Sequence, residues 1–487
     1  MKLTRSSGML LPIFSLPDQY GIGTIGHQAY KFIDFLKKAG QTYWQILPLG
    51  PTSYGDSPYQ SFSAHAGNPY FVDLELLKED GLLKEEDLLP YIDKTLKINY
   101  EKIYLTRFNI LRQAFNNFDI SLLIPFEKEN KWLDDYALFM SLKDFHQGKS
   151  FLEWEDKYKY RELDSINKFK EENINEINFY KFIQYEFFKQ WNNLHSYASK
   201  NNIKIIGDIP IYVALDSCDV WSNKEEFLLD EKFNPTFVAG CPPDDFTIDG
   251  QLWGNPLYDY DHMKKNNYSW WIERMKSNSK LYDVIRIDHF RGFEAYWMIP
   301  YGDETAKNGH WEKGPNTALF KEINKKLGNI EIIAENLGFL TKEVDIMLDT
   351  LQYPGMKILE FGFDINGCSD AAPHNLRENM LVYTGTHDNQ TAKEWYDHLP
   401  NEEKQHYHEY LHFTSPYEAV NELIITALRS PCFLSIIPLW DYLQKDSSAR
   451  INIPSTLGNN WVWRMEENDM NDDLAGYINK LMKLFKR

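Results

Sequence analysis

Three acidic residues of this chain each follow a short apolar segment, and together they indicate a site built from carboxylates. Asp288 ends the segment Val-Ile-Arg-Ile-Asp, Glu335 follows Ile-Ile-Ala, and Asp388 follows His387 in the segment Thr-Gly-Thr-His-Asp-Asn. Paired carboxyl groups can divide the roles of nucleophile and acid/base catalyst in the cleavage of glycosidic bonds. A single acid in such a position is more often a structural cap, but three in the same context favour chemistry.

The neighbours of the three acids predict different protonation states. Arg286 and Asp288 share one face of a strand, and we expect the guanidinium to lower the pKa of Asp288, as a nucleophile requires. The apolar residues before Glu335 are expected to raise its pKa, which suits an acid catalyst. Asp388 and His387 are expected to hydrogen-bond substrate hydroxyls as charge develops.

The acids must be positioned by the segments that precede them, and eight such segments recur along the chain. Most are apolar runs that end in a polar residue, which is typical of strands buried on both faces of a parallel sheet. Helical patterns lie between several of them, for example at 27–39 and 341–351. Eight strands alternating with helices predict a (β/α)₈ barrel. The predicted strands are 9–15, 42–49, 204–213, 284–290, 331–337, 356–361, 380–386 and 432–439.

The spacing of these strands is uneven, and this predicts inserted segments in a single catalytic barrel over 1–487. The first insertion, 51–203, is expected to be mostly helical, and its part 155–178 is rich in Lys, Glu and Asn, as in a solvated helical face. The second, 214–283, is rich in Pro, Gly, Asp and Trp and is expected to be loop-rich and to cover the active site. Long loops after barrel strands usually build such sites.

Composition excludes several classes of protein. The 487 residues carry a formal charge of −19, so neither nucleic acid nor an anionic membrane is an expected partner. The four cysteines form no CxxC pair, and no metal-ligand spacing is present, so we expect reduced thiols and no metal site. The short, Pro-interrupted apolar run near residue 10 does not fit a signal peptide, so the sequence predicts a cytoplasmic protein.

At these acids the chain closely resembles the 4-α-glucanotransferases of glycoside hydrolase family 77, the amylomaltases or disproportionating enzymes. The resemblance covers nearly the whole chain, and no one motif would suffice for it. The segments that carry it are Ser7-Gly8, Ser15-Leu16-Pro17, Tyr20-Gly21-Ile22-Gly23, Gly55-Asp56-Ser57-Pro58-Tyr59-Gln60-Ser61-Phe62-Ser63, Gly207-Asp208-Ile209-Pro210, Gly250-Gln251-Leu252-Trp253-Gly254-Asn255-Pro256-Leu257-Tyr258, Arg286-Ile287-Asp288-His289-Phe290-Arg291-Gly292, Ala334-Glu335-Asn336-Leu337-Gly338 and Thr384-Gly385-Thr386-His387-Asp388-Asn389.

The resemblance implies a retaining enzyme that moves α-1,4-glucan segments between maltooligosaccharides or onto glucose, without a metal, an organic cofactor or an obligatory protein partner. It implies that Asp288 is the nucleophile, Glu335 the acid/base and Asp388 the stabiliser of the transition state. It further implies sugar contacts at Ser57, Tyr59, Asp208, Arg286 and His387, an acceptor-side loop with Phe246 and Trp253, a glucan-facing Asn460, and a second glucan site at Tyr54.

Four positions depart from the family pattern, and none is one of the three acids. Asp245 stands where many members have Tyr, Gln390 where Asp is common, Met298 where Glu is usual and Ser455 where Gly is usual. A hydrolase or another transferase of the same α-glucan-acting superfamily remains the nearest alternative, because it would share the acids and differ on the acceptor side. A non-catalytic glucan-binding protein and a coenzyme-dependent barrel enzyme are the more distant alternatives.

Overall fold

The computed structural model describes residues 4–243, 247–338, 340–367 and 369–487, and for Tyr54 it describes the backbone alone. Its centre is a closed barrel of eight parallel strands, which confirms the predicted (β/α)₈ fold. Four further strands form a separate sheet. The strands of both sheets are β1 Ser6–Leu10, β2 Tyr43–Gln45, β3 Lys204–Ile209, β4 Phe237–Cys241, β5 Gln251–Pro256, β6 Val284–Ile287, β7 Ala295–Pro300, β8 His310–Lys313, β9 Ile332–Ala334, β10 Gly355–Ile358, β11 Met380–Tyr383 and β12 Leu434–Pro438. Around the barrel the strands follow the order β1-β12-β11-β10-β9-β6-β3-β2.

Helices surround the barrel and fill the first insertion. The last of them, α19, packs against α1 and α17 on the outside of the barrel. The helices are α1 His27–Lys38, α2 Leu74–Glu79, α3 Glu85–Leu88, α4 Tyr100–Phe115, α5 Leu123–Glu129, α6 Leu133–Phe145, α7 Asp156–Lys159, α8 Leu163–Glu172, α9 Ile174–Lys200, α10 Cys218–Ser222, α11 Tyr260–Lys265, α12 Ser269–Leu281, α13 Thr317–Leu327, α14 Lys342–Leu351, α15 Ala392–His398, α16 Asn401–Leu411, α17 Ala419–Arg429, α18 Leu439–Tyr442 and α19 Asp472–Phe485.

All eight predicted barrel strands are present, and the first one differs most from its predicted bounds. The prediction was 9–15, whereas β1 is Ser6–Leu10 and residues 13–15 form a 3₁₀ turn. Pro12 explains the early end, because proline has no N–H to donate to a neighbouring strand. The sequence pattern does not predict the start of β1, because Ser and Gly are not typical strand formers.

The first insertion, 51–203, contains helices α2 to α9, and the long helix α9 leads directly into β3. Its segment at 155–178 is not purely a solvated face, because Ile166, Phe169 and Ile177 are buried. Apolar side chains spaced in this way let α8 and the start of α9 pack onto the other helices.

A four-stranded antiparallel sheet, ordered β5-β4-β7-β8, lies beside the barrel and was not predicted. Two of its strands come from the second insertion and two come from the residues after β6, so the sheet joins segments on both sides of a barrel strand. Among the described residues, no helix is long and apolar enough to cross a membrane.

Candidate active site

The site begins at a pair of barrel strands that place two charged side chains opposite each other. Strands β3 and β6 run parallel in a register that pairs Asp208 with Arg286. Asp288 follows β6 directly, and its N–H continues the pairing by donating to the carbonyl of Ile209 at 2.9 Å. The carboxyl ends of barrel strands lie at one face, where barrel enzymes carry their catalytic groups.

Arg286 bridges two carboxylates at this face. Its Nη1 donates to Asp208 Oδ2 at 2.5 Å and to Asp288 Oδ1 at 3.1 Å. Arg286 and Asp208 are buried, whereas 29% of the Asp288 side chain is exposed toward the cleft. The guanidinium of Arg286 therefore holds Oδ1 of Asp288 in place. The other carboxyl oxygen, Oδ2, is left for a reacting atom.

The prediction of a lowered pKa for Asp288 is wrong. Burial raises the pKa of Asp288, Arg286 acts against this, and the surrounding carboxylates raise the pKa further. Loss of hydration and the negative charges of three nearby carboxylates raise the pKa of Asp288. Together they outweigh the guanidinium of Arg286, which is also bonded to Asp208.

The carboxyl group of Glu335 is hydrogen-bonded to the backbone segment that follows Asp288, the candidate nucleophile. Glu335 follows β9, and its Oε2 accepts the N–H of His289 at 2.7 Å while its Oε1 accepts the N–H of Leu337 at 3.1 Å. Burial raises the pKa of Glu335 against the opposing effects of Arg286 and these two N–H groups, which confirms the predicted direction. The two carboxyl groups also oppose each other's ionisation, so the pair retains a proton to higher pH than either acid would alone.

Asp388 has the opposite character. It follows β11 in the turn 384–389, and 46% of its side chain is exposed. Its Oδ2 lies 3.3 Å from His387 Nε2, and its Oδ1 accepts the amide of Asn452 at 2.6 Å. Partial loss of hydration raises the pKa of Asp388, but His387 and Asn452 outweigh this and lower it to about 2.

Aromatic side chains lie between the carboxylates of Asp208 and Asp388. The Tyr59 ring stacks on His387 with centroids 5.2 Å apart, and its OH donates to Asp208 Oδ2 at 2.9 Å. Trp461 lies 5.9 Å from Tyr59 and 6.0 Å from His387. Flat rings beside carboxylates suit a ligand with apolar C–H faces and a rim of hydroxyls.

Asp288 and Asp388 line a cleft of about 600 Å³, which lies in the size range of small-ligand sites. Strand β5 forms one side of it with Gln251, Leu252 and Trp253, whose indole N–H donates to Gln251 Oε1 at 3.0 Å. Ser57 lies at the rim, where its Oγ accepts the N–H of Tyr59 at 3.2 Å. No cluster of three or more potential metal ligands occurs in the described part of the chain.

Comparison with known proteins agrees with this geometry. The family model described as 4-alpha-glucanotransferase matches residues 11–470. The chain belongs to the 4-alpha-glucanotransferase family. The 4-alpha-glucanotransferase of Clostridium butyricum is 50% identical over 98% of this chain and 99% of its own length, and that of Streptococcus pneumoniae is 43% identical over 99% and 97%. The solved amylomaltase from Streptococcus agalactiae in complex with acarbose superposes with a TM-score of 0.97 at 40% identity, over 99% of this chain and 100% of the other.

For three residues assigned through the family resemblance, the described residues show no contact with the cleft or do not include the side chain. The amide of Asn460 makes its hydrogen bonds within its own loop, accepting from the N–H of Ile453 and donating to Thr456. Phe246 and the side chain of Tyr54 lie outside the described residues, as does the family departure at Asp245. The sugar contacts assigned to these residues therefore stay predictions.

The sequence pattern does not indicate two further residues of the cleft, Asn452 and Trp461. Asn452 binds Asp388, yet it lies in a segment without strand or helix pattern, so its type gave no signal. Trp461 directly follows Asn460 in the sequence, and its aromatic ring was the better candidate for a sugar-facing residue.

Proposed function

We propose that this member of the 4-alpha-glucanotransferase family transfers α-1,4-glucan segments by double displacement through a covalent glucosyl-enzyme on Asp288. The observation that carries the proposal is the arrangement of Asp288 and Glu335. One carboxyl group is fixed by Arg286 at a strand end, and the other is bonded to the next backbone N–H of the same segment. Retention requires the two carboxyl groups to lie about 5–5.5 Å apart, which we expect here.

In the first step Asp288 attacks the anomeric carbon of the donor sugar while Glu335 gives its proton to the glycosidic oxygen. The bond to that oxygen breaks, and the reducing-end fragment leaves with a new 4-hydroxyl group. In the second step the 4-hydroxyl of an acceptor attacks the same carbon, Glu335 removes its proton, and Asp288 departs as a carboxylate. Two inversions restore the α configuration.

Asp388 contributes through its charge. The transition state carries positive charge on the sugar ring, and an anion with a pKa of about 2 keeps its charge over the whole working range of pH. The ring of His387 and the OH of Tyr59 stand beside it and are proposed to bind hydroxyl groups of the same sugar.

Transfer must compete with water, which is about 55 M, whereas an acceptor sugar is present at ~1 mM. Overcoming that ratio takes about 6–7 kcal/mol of preferential binding and alignment of the acceptor. We assign this contribution to the side of the cleft formed by β5, where the half-buried indole of Trp253 lies near Tyr212 at 6.3 Å. Sugars can stack on such rings, and water gains nothing from them.

The proposed substrates are α-1,4-glucans and maltooligosaccharides, with glucose as an acceptor, and the proposed location is the cytoplasm. Cys218 and Cys432 are buried and form no disulfide with each other, as is usual in a reducing compartment. The net charge of −19 argues against partners that are polyanions.

The test is incubation with maltotriose, with and without added glucose, followed by chromatography of the products. A transferase gives a ladder of longer and shorter oligosaccharides, and added glucose shifts the ladder toward short products. A hydrolase gives only shorter products, and its total release of reducing ends does not depend on glucose. The latter outcome contradicts the proposal, and an Asp288→Asn variant serves as the inactive control.

A further inference from the structure

His289 follows Asp288 directly and occupies a strained backbone conformation. Its φ of 50° and ψ of 45° lie in the left-handed region, where few residues other than glycine are found. Because this conformation costs free energy, the surrounding contacts must hold it in place. Those contacts are of two different kinds, one made by the backbone and one by the ring.

The backbone contact reaches the acid/base candidate. The N–H of His289 donates to Glu335 Oε2 at 2.7 Å, and the carbonyl of Glu335 in turn accepts the N–H of Phe290 at 3.0 Å. A shift of the His289 backbone therefore moves or releases one oxygen of the Glu335 carboxyl.

The ring contact reaches the opposite side of the cleft. The imidazole meets the indole of Trp253 edge-on, with centroids 4.8 Å apart and planes at 85°. Its Nδ1 lies 4.0 Å from the sulfur of Cys241 on the neighbouring strand β4. The ring is thus inserted between the segment after β6 and the hairpin formed by β4 and β5.

The imidazole of His289 acts here through its shape and not through charge. Burial lowers the pKa of His289 to about 3, with a smaller effect from Arg291, so the imidazole is neutral at working pH. Its Nε2 makes no hydrogen bond with any described residue. Gly292 packs close behind, since a Cβ there would lie 3.2 Å from Cδ2 of the imidazole. The ring also lines the cleft, and a neutral ring held between Trp253 and Gly292 transmits displacement from one side to the other.

We propose that His289 is a positioning residue that couples occupation of the acceptor side at Trp253 to the alignment of Glu335. A sugar stacked on Trp253 presses the indole against the imidazole, and the His289 N–H then holds Glu335 in the orientation that deprotonates the acceptor hydroxyl. Water cannot exert this pressure, so the base is best aligned when a sugar is the attacker. The inference rests on the proposed function and adds a reason why transfer exceeds hydrolysis.

The test compares His289→Asn with His289→Phe. Asparagine tolerates the left-handed conformation and keeps the backbone N–H, but it lacks the ring, whereas phenylalanine keeps the ring shape and lacks the nitrogens. An α-maltosyl fluoride donor separates the two steps: fluoride release in the first turnover reports glycosylation, and titration with maltose reports the partition of the intermediate between sugar and water.

For His289→Asn we expect fluoride release to fall at most about threefold and the transfer-to-hydrolysis ratio to fall about tenfold or more at every maltose concentration. His289→Phe should recover most of the parent's ratio. The coupling is overturned if His289→Asn partitions like the parent, if His289→Phe falls as far as His289→Asn, or if both steps fall equally. Failure of the proposed function is recognised separately, because the parent itself would then give no transfer product.

A second variant covers the case in which His289→Asn does not fold. Trp253→Leu leaves the segment after Asp288 unchanged and removes the edge-on ring contact. Since Glu335 is held through His289, this variant should shift the pH dependence of the deglycosylation step measured with maltose. An unshifted pH profile, together with a lower apparent affinity for maltose, would overturn the coupling and leave only a stacking role for Trp253.

Discussion

At the scale of single residues, the three acids of the site differ in pKa because their surroundings differ. Asp388 stays ionised because a histidine and an amide contact its two oxygens, whereas burial and mutual repulsion favour a proton on the pair formed by Asp288 and Glu335. Acids with pKa values pushed apart in this way can serve as a fixed anion and as a proton carrier in one cleft.

The first prediction concerns Asn452, whose amide donates to Asp388 Oδ1 at 2.6 Å. Asn452→Ala should lower kcat/KM for maltotriose about 10- to 100-fold, the value of a hydrogen bond to a charged group. Asn452→Asp is nearly isosteric but places a like charge beside Asp388, so it should lose more activity than Asn452→Ala. If the aspartate variant is the milder one, Asn452 acts by filling space and its proposed electrostatic role is wrong.

The second prediction concerns the acid limb of the pH profile. Asp288, the proposed nucleophile, must be ionised to attack, so we expect glycosylation to be lost as the pH falls through its raised pKa. Glu335→Gln removes one of the charges that raise this pKa, so the acid limb of first-turnover fluoride release from α-maltosyl fluoride should move to lower pH. Glu331→Gln, just before the start of the same strand β9, is the matched control and should leave the limb in place. An unmoved limb in Glu335→Gln would mean that the two acids do not interact.

The sequence predicted the three acids as candidates because each one follows an apolar strand, directly or after a short turn, but it did not indicate the residues that alter their pKa values. Asn452 lies 64 positions from Asp388 in the sequence, and only the folded barrel brings the two side chains into contact. The raised pKa of Asp288 likewise depends on carboxylates from three other strands and loops, which no spacing in the sequence reveals.

At the scale of elements, the barrel strands were predictable and the antiparallel sheet was not. Strands such as β6 and β11 read as apolar runs because both of their faces are buried. Strand β5, in contrast, is partly exposed over its first four residues and buried only over its last two, and it contains Gly254 and Pro256, which are poor strand signals. Its pairing partner β4 bonds in turn to β7, which lies beyond a barrel strand in sequence.

The third prediction belongs to β5. Trp253→Ala removes the proposed stacking surface, so total transfer should fall and the fraction of turnovers that end in free reducing sugar should rise about tenfold. Trp253→Phe keeps an aromatic face and should lie between the parent and the alanine variant. The measurement is product partition during titration with glucose. If the ratio of hydrolysis to transfer in Trp253→Ala matches the parent at every glucose concentration, the acceptor role of this strand is wrong.

At the scale of the whole molecule, the helical insertion is joined to the barrel by a buried polar cluster. Asp18 follows β1 and shares the hydroxyl of Thr24 with Asp73, the residue that caps α2. Arg107 of α4 donates to the carbonyls of Val72 and Tyr20, close to both acids. Burial raises the pKa of Asp18 to about 7, and the charge of Asp73 adds to this effect.

The fourth prediction follows from that raised pKa. Asp18 holds its proton in the folded state up to about pH 7 but loses it near pH 4 when unfolded, so its contribution to stability falls as the pH rises through this window. Asp18→Asn carries no charge at any pH, and its amide can still bond to Thr24. The variant should therefore melt a few degrees above the parent at pH 8 and at the parent's temperature at pH 4. Calorimetry at the two pH values checks this, and a gain that is the same at both would rule out the electrostatic explanation.

The account as a whole depends on a covalent sugar ester at Asp288, and the most direct measurement is to trap it. Glu335→Gln should still be glycosylated by α-maltosyl fluoride, which has a good leaving group, but should deglycosylate slowly. Mass spectrometry of its peptides should then find a maltosyl group on Asp288, and an Asp288→Asn/Glu335→Gln double variant should carry none. Fluoride release with the sugar on another carboxylate, or with no adduct and a product of inverted configuration, would contradict the account.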